Sequence, residues 1–165
     1  MTRILQLIFL MIALMLSGCD GETSFSDPCS ETETFCHMHE GLEWSAKASV
    51  KMSWNEAVEY CDSIGGRLPT LSELRSLILY CSVTESGGEC KVDGNCLELE
   101  CWNEECAGCE WNYEGMYSVF EDTEYLWSSS FHSSSEDYAW DVCFGNGYVG
   151  NYLKLNKNHV RCVKK

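Results

Sequence analysis

Six of the chain's 12 cysteines, Cys81, Cys90, Cys96, Cys101, Cys106 and Cys109, fall in one stretch with neither helical nor strand periodicity. At its densest the sequence reads ECWNEECAGCE, residues 100–110, with a Cys-x-x-Cys at Cys106 and Cys109. A loop this long inside a compact domain is either functional or stapled. Zinc, redox exchange and disulfides compete for such thiols. Zinc commonly takes two Cys-x-x-Cys knuckles or added histidines, whereas this segment has one knuckle and no histidine. A redox pair wants a thioredoxin-like βαβ setting to lower a thiol pKa, and that pattern is missing. The compartment decides the rest.

Arg3 precedes an almost unbroken apolar run over residues 4–16, and Leu16-Ser17-Gly18-Cys19 follows. The run is shorter than the roughly 20 residues a spanning helix needs, so residues 1–18 read as a signal peptide. Its end resembles the bacterial lipobox, which implies acyl chains on Cys19 and a firm membrane anchor. Asp20 resembles the signal that retains enterobacterial lipoproteins in the inner membrane. The expectation is an exported protein, lipid-anchored to a bacterial membrane and facing the periplasm or the cell surface, with Asp20 favouring the inner membrane. Export permits disulfides. The six loop cysteines are therefore expected to be bridges, their connectivity left open. Cys29 and Cys36 are expected to pair near the tether. With Cys19 lipidated an odd number remains, and Cys143, on an alternating strand pattern, is the candidate for a free buried thiol.

The signal peptide leaves 147 residues, enough for one domain and a tether. Residues 19–40 read as the lipidated cysteine and a polar tether, and residues 41–165 as the domain, with 82–117 a Cys-rich acidic insert. Ser53-Trp54-Asn55-Glu56 has capping-box spacing, and Trp54, Ala57, Val58 and Cys61 then recur at helical spacing until Gly65-Gly66. A second box, Thr70-Leu71-Ser72-Glu73, opens a helix with Leu71, Leu74, Leu77 and Ile78 on one face. YLWSSS and YAWDVCFGNGYVGNY read as strands, the latter a hairpin turning at Gly145-Asn146-Gly147, and HVRCVK as a last short strand. Helices followed by antiparallel strands predict an α+β fold.

These pieces, GLEWS, MSWNEAVEYCDSIGGRLPTLSELRSL, LWSSS, AWDVCFGNG and VRCVKK, occur in an order that resembles a family of bacterial envelope domains. Its best-known member is the C-terminal domain of the Legionella collagen-like adhesin. The resemblance implies a C-type-lectin-like fold: two helices packed on a small twisted antiparallel sheet, with a long disulfide-rich loop insert. It also implies that Cys61, ending the first helix, pairs with Cys162 in the last strand. Two departures stand out. Gly66 occupies the family's usual Trp position before Arg-Leu-Pro-Thr, and the calcium-dependent sugar motifs of true C-type lectins are absent, Trp140-Asp141-Val142 being a partial echo. Fold alone does not carry sugar binding.

The formal charge of −15 argues against nucleic acid and against long polyanions as general partners. Residues 82–125 hold twelve Asp or Glu and one Lys. Such a run is foremost a solvated surface, with calcium or a basic partner the lesser readings. His37-Met38-His39 could suggest a soft metal, although tether histidines are more often incidental. No Gly-x-Ser-x-Gly elbow or other catalytic constellation is present, so neither a catalytic residue nor a metal ligand is assigned. Trp44, Trp54, Trp127 and Trp140 sit on patterned segments and read as core. Trp102, Glu104, Glu105, Trp111 and Tyr113 lie in the insert and form the candidate ligand surface. The leading function is thus a non-catalytic binding module for an envelope or extracellular ligand. The alternatives are an enzyme, since formylglycine-generating enzymes use a related fold, or a purely structural envelope protein.

Overall fold

The computed structural model describes residues 33–132 and 134–165. The signal peptide, Cys19, Asp20, Cys29 and most of the tether lie outside the described residues. Cys36 is disulfide-bonded.

Strands β1 (Phe35–His39) and β2 (Leu42–Ser45) form a hairpin through Glu40 and Gly41, whose φ values of 47° and 79° match the primed turn that suits strand twist. β1 lies in the stretch expected to be tether, which therefore ends sooner. The cause is Phe35. A Cβ on Gly66 would come within 2.7 Å of its ring, so glycine at the family's Trp position makes room for this side chain.

Helix α1 (Trp54–Ser63) starts at a complete Ser53–Glu56 capping box and buries Ala57 and Cys61, while Val58 stays exposed. Trp54 is half-buried, its Nε1 donating to the Ser128 carbonyl at 2.8 Å. Strand β3 (Gly66–Arg67) follows, and α2 (Leu71–Ser76) opens on the second box, Thr70–Glu73. Glu73 also receives Arg67 in a two-pronged pair at 2.7 and 2.6 Å. Leu77 and Ile78 are as buried as Leu71 and Leu74 although they lie past the helix, so the apolar face outlasts the helical turns.

Strands β4 (Tyr125–Phe131), β5 (Tyr138–Cys143) and β6 (Tyr148–Leu153) form one antiparallel sheet in that order. The other sheet runs β1-β2-β7-β3, with β7 only Val163–Lys164. The single sheet expected from sequence is therefore two. Residues 158–162 join them without belonging to either. On one side Met52 N donates to the Asn158 carbonyl, Ala48 N to Val160 and Ser45 N to Cys162. On the other, Trp127 N donates to the His159 carbonyl and His159 N to that of Tyr125. The architecture is α+β with small antiparallel sheets.

Two apolar clusters fill the interior. One gathers Trp44, Leu74, Trp140 and Phe144 under α2 and the insert, and the other gathers Ala57, Leu68, Trp127 and Val160 around the Cys61–Cys162 disulfide. Arg161 is buried against Asp122 through Nε at 2.7 Å and Nη2 at 3.1 Å, and its Nη1 donates to the Ser45 carbonyl. Both partners are fork-matched, which is what a desolvated ion pair requires.

Candidate functional site

The insert is stapled by three nested bridges: Cys81–Cys109, Cys90–Cys106 and Cys96–Cys101. The two cysteines of the Cys-x-x-Cys thus go to different partners. Between them Gly108 has φ of +82°, and a Cβ there would lie 2.4 Å from the Asn146 carbonyl oxygen. That close approach docks the insert on the β5–β6 turn, where Cys109 N donates to Asn146 O at 2.7 Å and Asn112 N to Gly145 O at 2.6 Å. Arg75, at the end of α2 and buried, organises the first half of the insert. Its Nε donates to Thr84 O, Nη2 to Glu85 O, and Nη1 to both Cys90 O and Val92 O, at 2.6 to 3.3 Å. Nothing in the residue's spacing distinguishes it from an ordinary cation near a helix C-terminus.

The expected ligand surface divides. Trp102 is half-buried against the core, and its Nε1 donates to the Val149 carbonyl at 2.9 Å, so it clamps the insert to β6. This anchoring sets Trp102 apart from the more exposed Trp111 and Tyr113. Glu105 is half-buried and accepts from Asn103 Nδ2 at 2.7 Å, whereas Glu104 is exposed. Trp111 and Tyr113 are 46% and 80% exposed with ring centroids 5.6 Å apart. One edge of Trp111 rests on Gly145, where a Cβ would meet it at 2.7 Å. His37 packs on Phe120, and His39 Nε2 lies 2.9 Å from the Ser76 carbonyl oxygen, with Met38 exposed between them. Among the described residues no group of three or more His, Cys, Asp or Glu is placed to hold a metal ion.

A second site lies on the face of the β4-β5-β6 sheet opposite Trp140, beside the second apolar cluster. Trp140, Val142 and Phe144 point into the core, so by the strand's two-residue period Asp141 and Cys143 face the other way. Pairing sets Cys143 beside Tyr125 and Tyr148, and Asp141 beside Trp127 and Gly150. The Tyr148 ring lies over Gly150, where any Cβ would meet it at 2.1 Å. Cys143 is a buried free thiol, and burial pushes its pKa up. A cavity of about 430 Å³ opens here, floored by Asp141 and Asn158, walled by Tyr125, Tyr148 and Tyr152, and edged by Lys51, Lys157 and Asn151. That volume is in the range of small-ligand pockets.

Asp141 is 2% exposed, and among the described residues its side chain accepts one hydrogen bond, from Asn158 Nδ2 at 2.8 Å. Burial pushes its carboxyl up to about 7, opposed only by the Asn158 bond. Tyr125 is raised to about 12, and Tyr148 is raised as well, in both cases first by burial and then by the neighbouring Asp141 and Cys143 charges. The folded pKa of Asp141 exceeds its unfolded value. Neutral Asp141 is therefore tolerated below about pH 4, and stability is lost as pH rises from there through about 7. Asp141→Asn keeps the acceptor for Asn158 and removes the charge. It is expected to raise stability above about pH 7 by roughly 3 kcal/mol, with the gain vanishing toward about pH 4. Urea unfolding across that range measures it, and a pH-independent difference would contradict the account.

In the sequence Asp141 stands out only within the partial Trp140-Asp141-Val142 echo, and no local motif marks the pocket. A usable signal was present: the Gly145–Gly147 turn sets Cys143 opposite Tyr148, which places Asp141, Tyr125 and Tyr148 on one face. The covering residues 157–159 could not be placed from local pattern. Among curated proteins none matches the chain. The family model described as the Lcl C-terminal domain matches residues 33–164, and the chain belongs to that family.

Proposed function

We propose that this chain is a non-catalytic binding module of the bacterial envelope, tethered to a membrane through lipid on Cys19, with a C-type-lectin-like domain that offers its insert to an envelope or extracellular ligand. The family supports an adhesin-like binding role. The observation that carries the reading is the exposed Trp111–Tyr113 pair, just beyond the outermost bridge at Cys109 and held to the β5–β6 turn where Asn112 N donates to Gly145 O. Exposed aromatics on a rigid support lose little entropy on contact, which is the character of interface anchors. Trp111→Ala with Tyr113→Ala is expected to lower capture of envelope extracts or arrayed glycans on the order of tenfold, leaving thermal stability nearly unchanged. Equal capture by wild type and variant would refute the loop as the recognition surface. Trp102→Ala should instead lower stability, because it orphans the Val149 contact and opens the packing beneath the insert.

A further inference from the structure

The pocket over Asp141 has the make-up of a built site rather than a surface dimple. Its floor is a buried acid with one donor among the described residues, a costly arrangement that a purely structural sheet face would replace with an apolar residue. Tyr125 and Tyr148 are T-shaped to each other at 6.5 Å, and Tyr152 stands on the same face two residues beyond Gly150. Three tyrosines around a cavity of about 430 Å³ offer ring faces to a ring. Asn151 and Asn158 add both donors and acceptors.

Charge decides the class. Lys51 and Lys157 are exposed at the edge, and among the described residues the carboxyl on the floor is the sole acid lining the cavity. Lys157 also lies 3.7 Å from Glu56, both of them more than half exposed, a pair that solvent weakens. A cationic ligand would meet two ammonium groups on entry, whereas an anion meets complementary charge at a rim that still admits water. The chain's overall negative charge disfavours long polyanions but leaves this local cationic edge intact.

We propose that this pocket binds a single-ring organic anion, its ring against Tyr125, Tyr148 and Tyr152, its anionic group toward Lys51 and Lys157, and a hydroxyl or other polar group toward Asp141 and Asn158. The site is separate from the Trp111–Tyr113 surface and does not depend on it. Two sources share this chemistry, a sugar acid and an aromatic acid.

The test is calorimetric or NMR titration of the mature domain, disulfides intact, with galacturonate and 4-hydroxyphenylacetate, using galactose and a primary amine as neutral and cationic controls. Saturable binding of either acid, with galactose at least about tenfold weaker, supports the proposal and identifies the source. Lys51→Glu with Lys157→Glu alters only exposed side chains and should weaken the acid about tenfold or more, with a small fall in melting temperature from the carboxylate set beside Glu56. Trp111→Ala should leave this binding unchanged. Equal affinity for acid and neutral ring, preference for the amine, indifference to the lysine reversals, or no binding of either acid at millimolar concentration would each overturn it.

Discussion

Replacing Cys61 and Cys162 with alanine is expected to lower the unfolding free energy by about 4 to 5 kcal/mol and the melting temperature on the order of 15 °C. The bridge spans 101 residues, so its loss returns to the unfolded chain the freedom of almost the whole described domain. Within its own sheet the closing strand has few partners, although residues 158–162 before it are hydrogen-bonded on both sides. β7 is two residues long, paired to β2 at one register position and to β3 at two. Both cysteines are fully buried among Ala57, Leu68, Trp127 and Val160, so the alanines add a small packing loss to the entropic term. The Cys96–Cys101 bridge closes only 5 residues, and its removal should cost markedly less. Urea unfolding of the two paired variants compares them directly, and the longer-range variant should also show a larger m value because its unfolded state is more expanded. A loss below about 1 kcal/mol for the Cys61–Cys162 variant would show that the sheets, not the bridge, secure the chain's end.

What was legible in the sequence was local. Ser53–Glu56 and Thr70–Glu73 announce their helices because a capping box satisfies orphan amides within four residues. Gly145-Asn146-Gly147 announces its hairpin for a similar reason. The Cys61–Cys162 pairing came through family resemblance rather than from the residues themselves. The nested order of the insert's bridges was not readable, since spacing does not select among pairings. That the Trp102 indole N–H reaches Val149, 47 residues away, is likewise not readable, since an aromatic in an irregular, acidic segment carries no pattern that reveals its partner. FCHMH is too short beside the polar tether to show a strand period, and its Phe35 packs against Gly66, well downstream. The pocket fell between these cases: the strand period predicts its floor and two of its walls, but its closure depends on the chain's end crossing over β4.

The same distinction makes Arg75 the most informative single position in the insert. Arg75→Met is expected to cost about 3 to 5 kcal/mol and to concentrate its effect on residues 83–92. Four carbonyl oxygens, those of Thr84, Glu85, Cys90 and Val92, converge on one guanidinium. A methionine fills much of the space and offers none of the donors, and each orphaned buried carbonyl costs roughly 1 to 3 kcal/mol. The total stays below their simple sum, because the loop can open enough for water to reach some of them. Arg75→Lys keeps the charge but not the fork, so it should fall between wild type and Met. The disulfides do not substitute for this hub. They bound how far the insert can spread, whereas the guanidinium selects one arrangement within that bound. Amide exchange at Cys90, whose N–H bonds the Val83 carbonyl, should therefore speed up far more in Arg75→Met than exchange in β5. Equal acceleration in both would mean that Arg75 merely supports the core. If exchange is unchanged at Cys90, the bridges alone define the loop, and the surface carrying Trp111 and Tyr113 owes its shape to them.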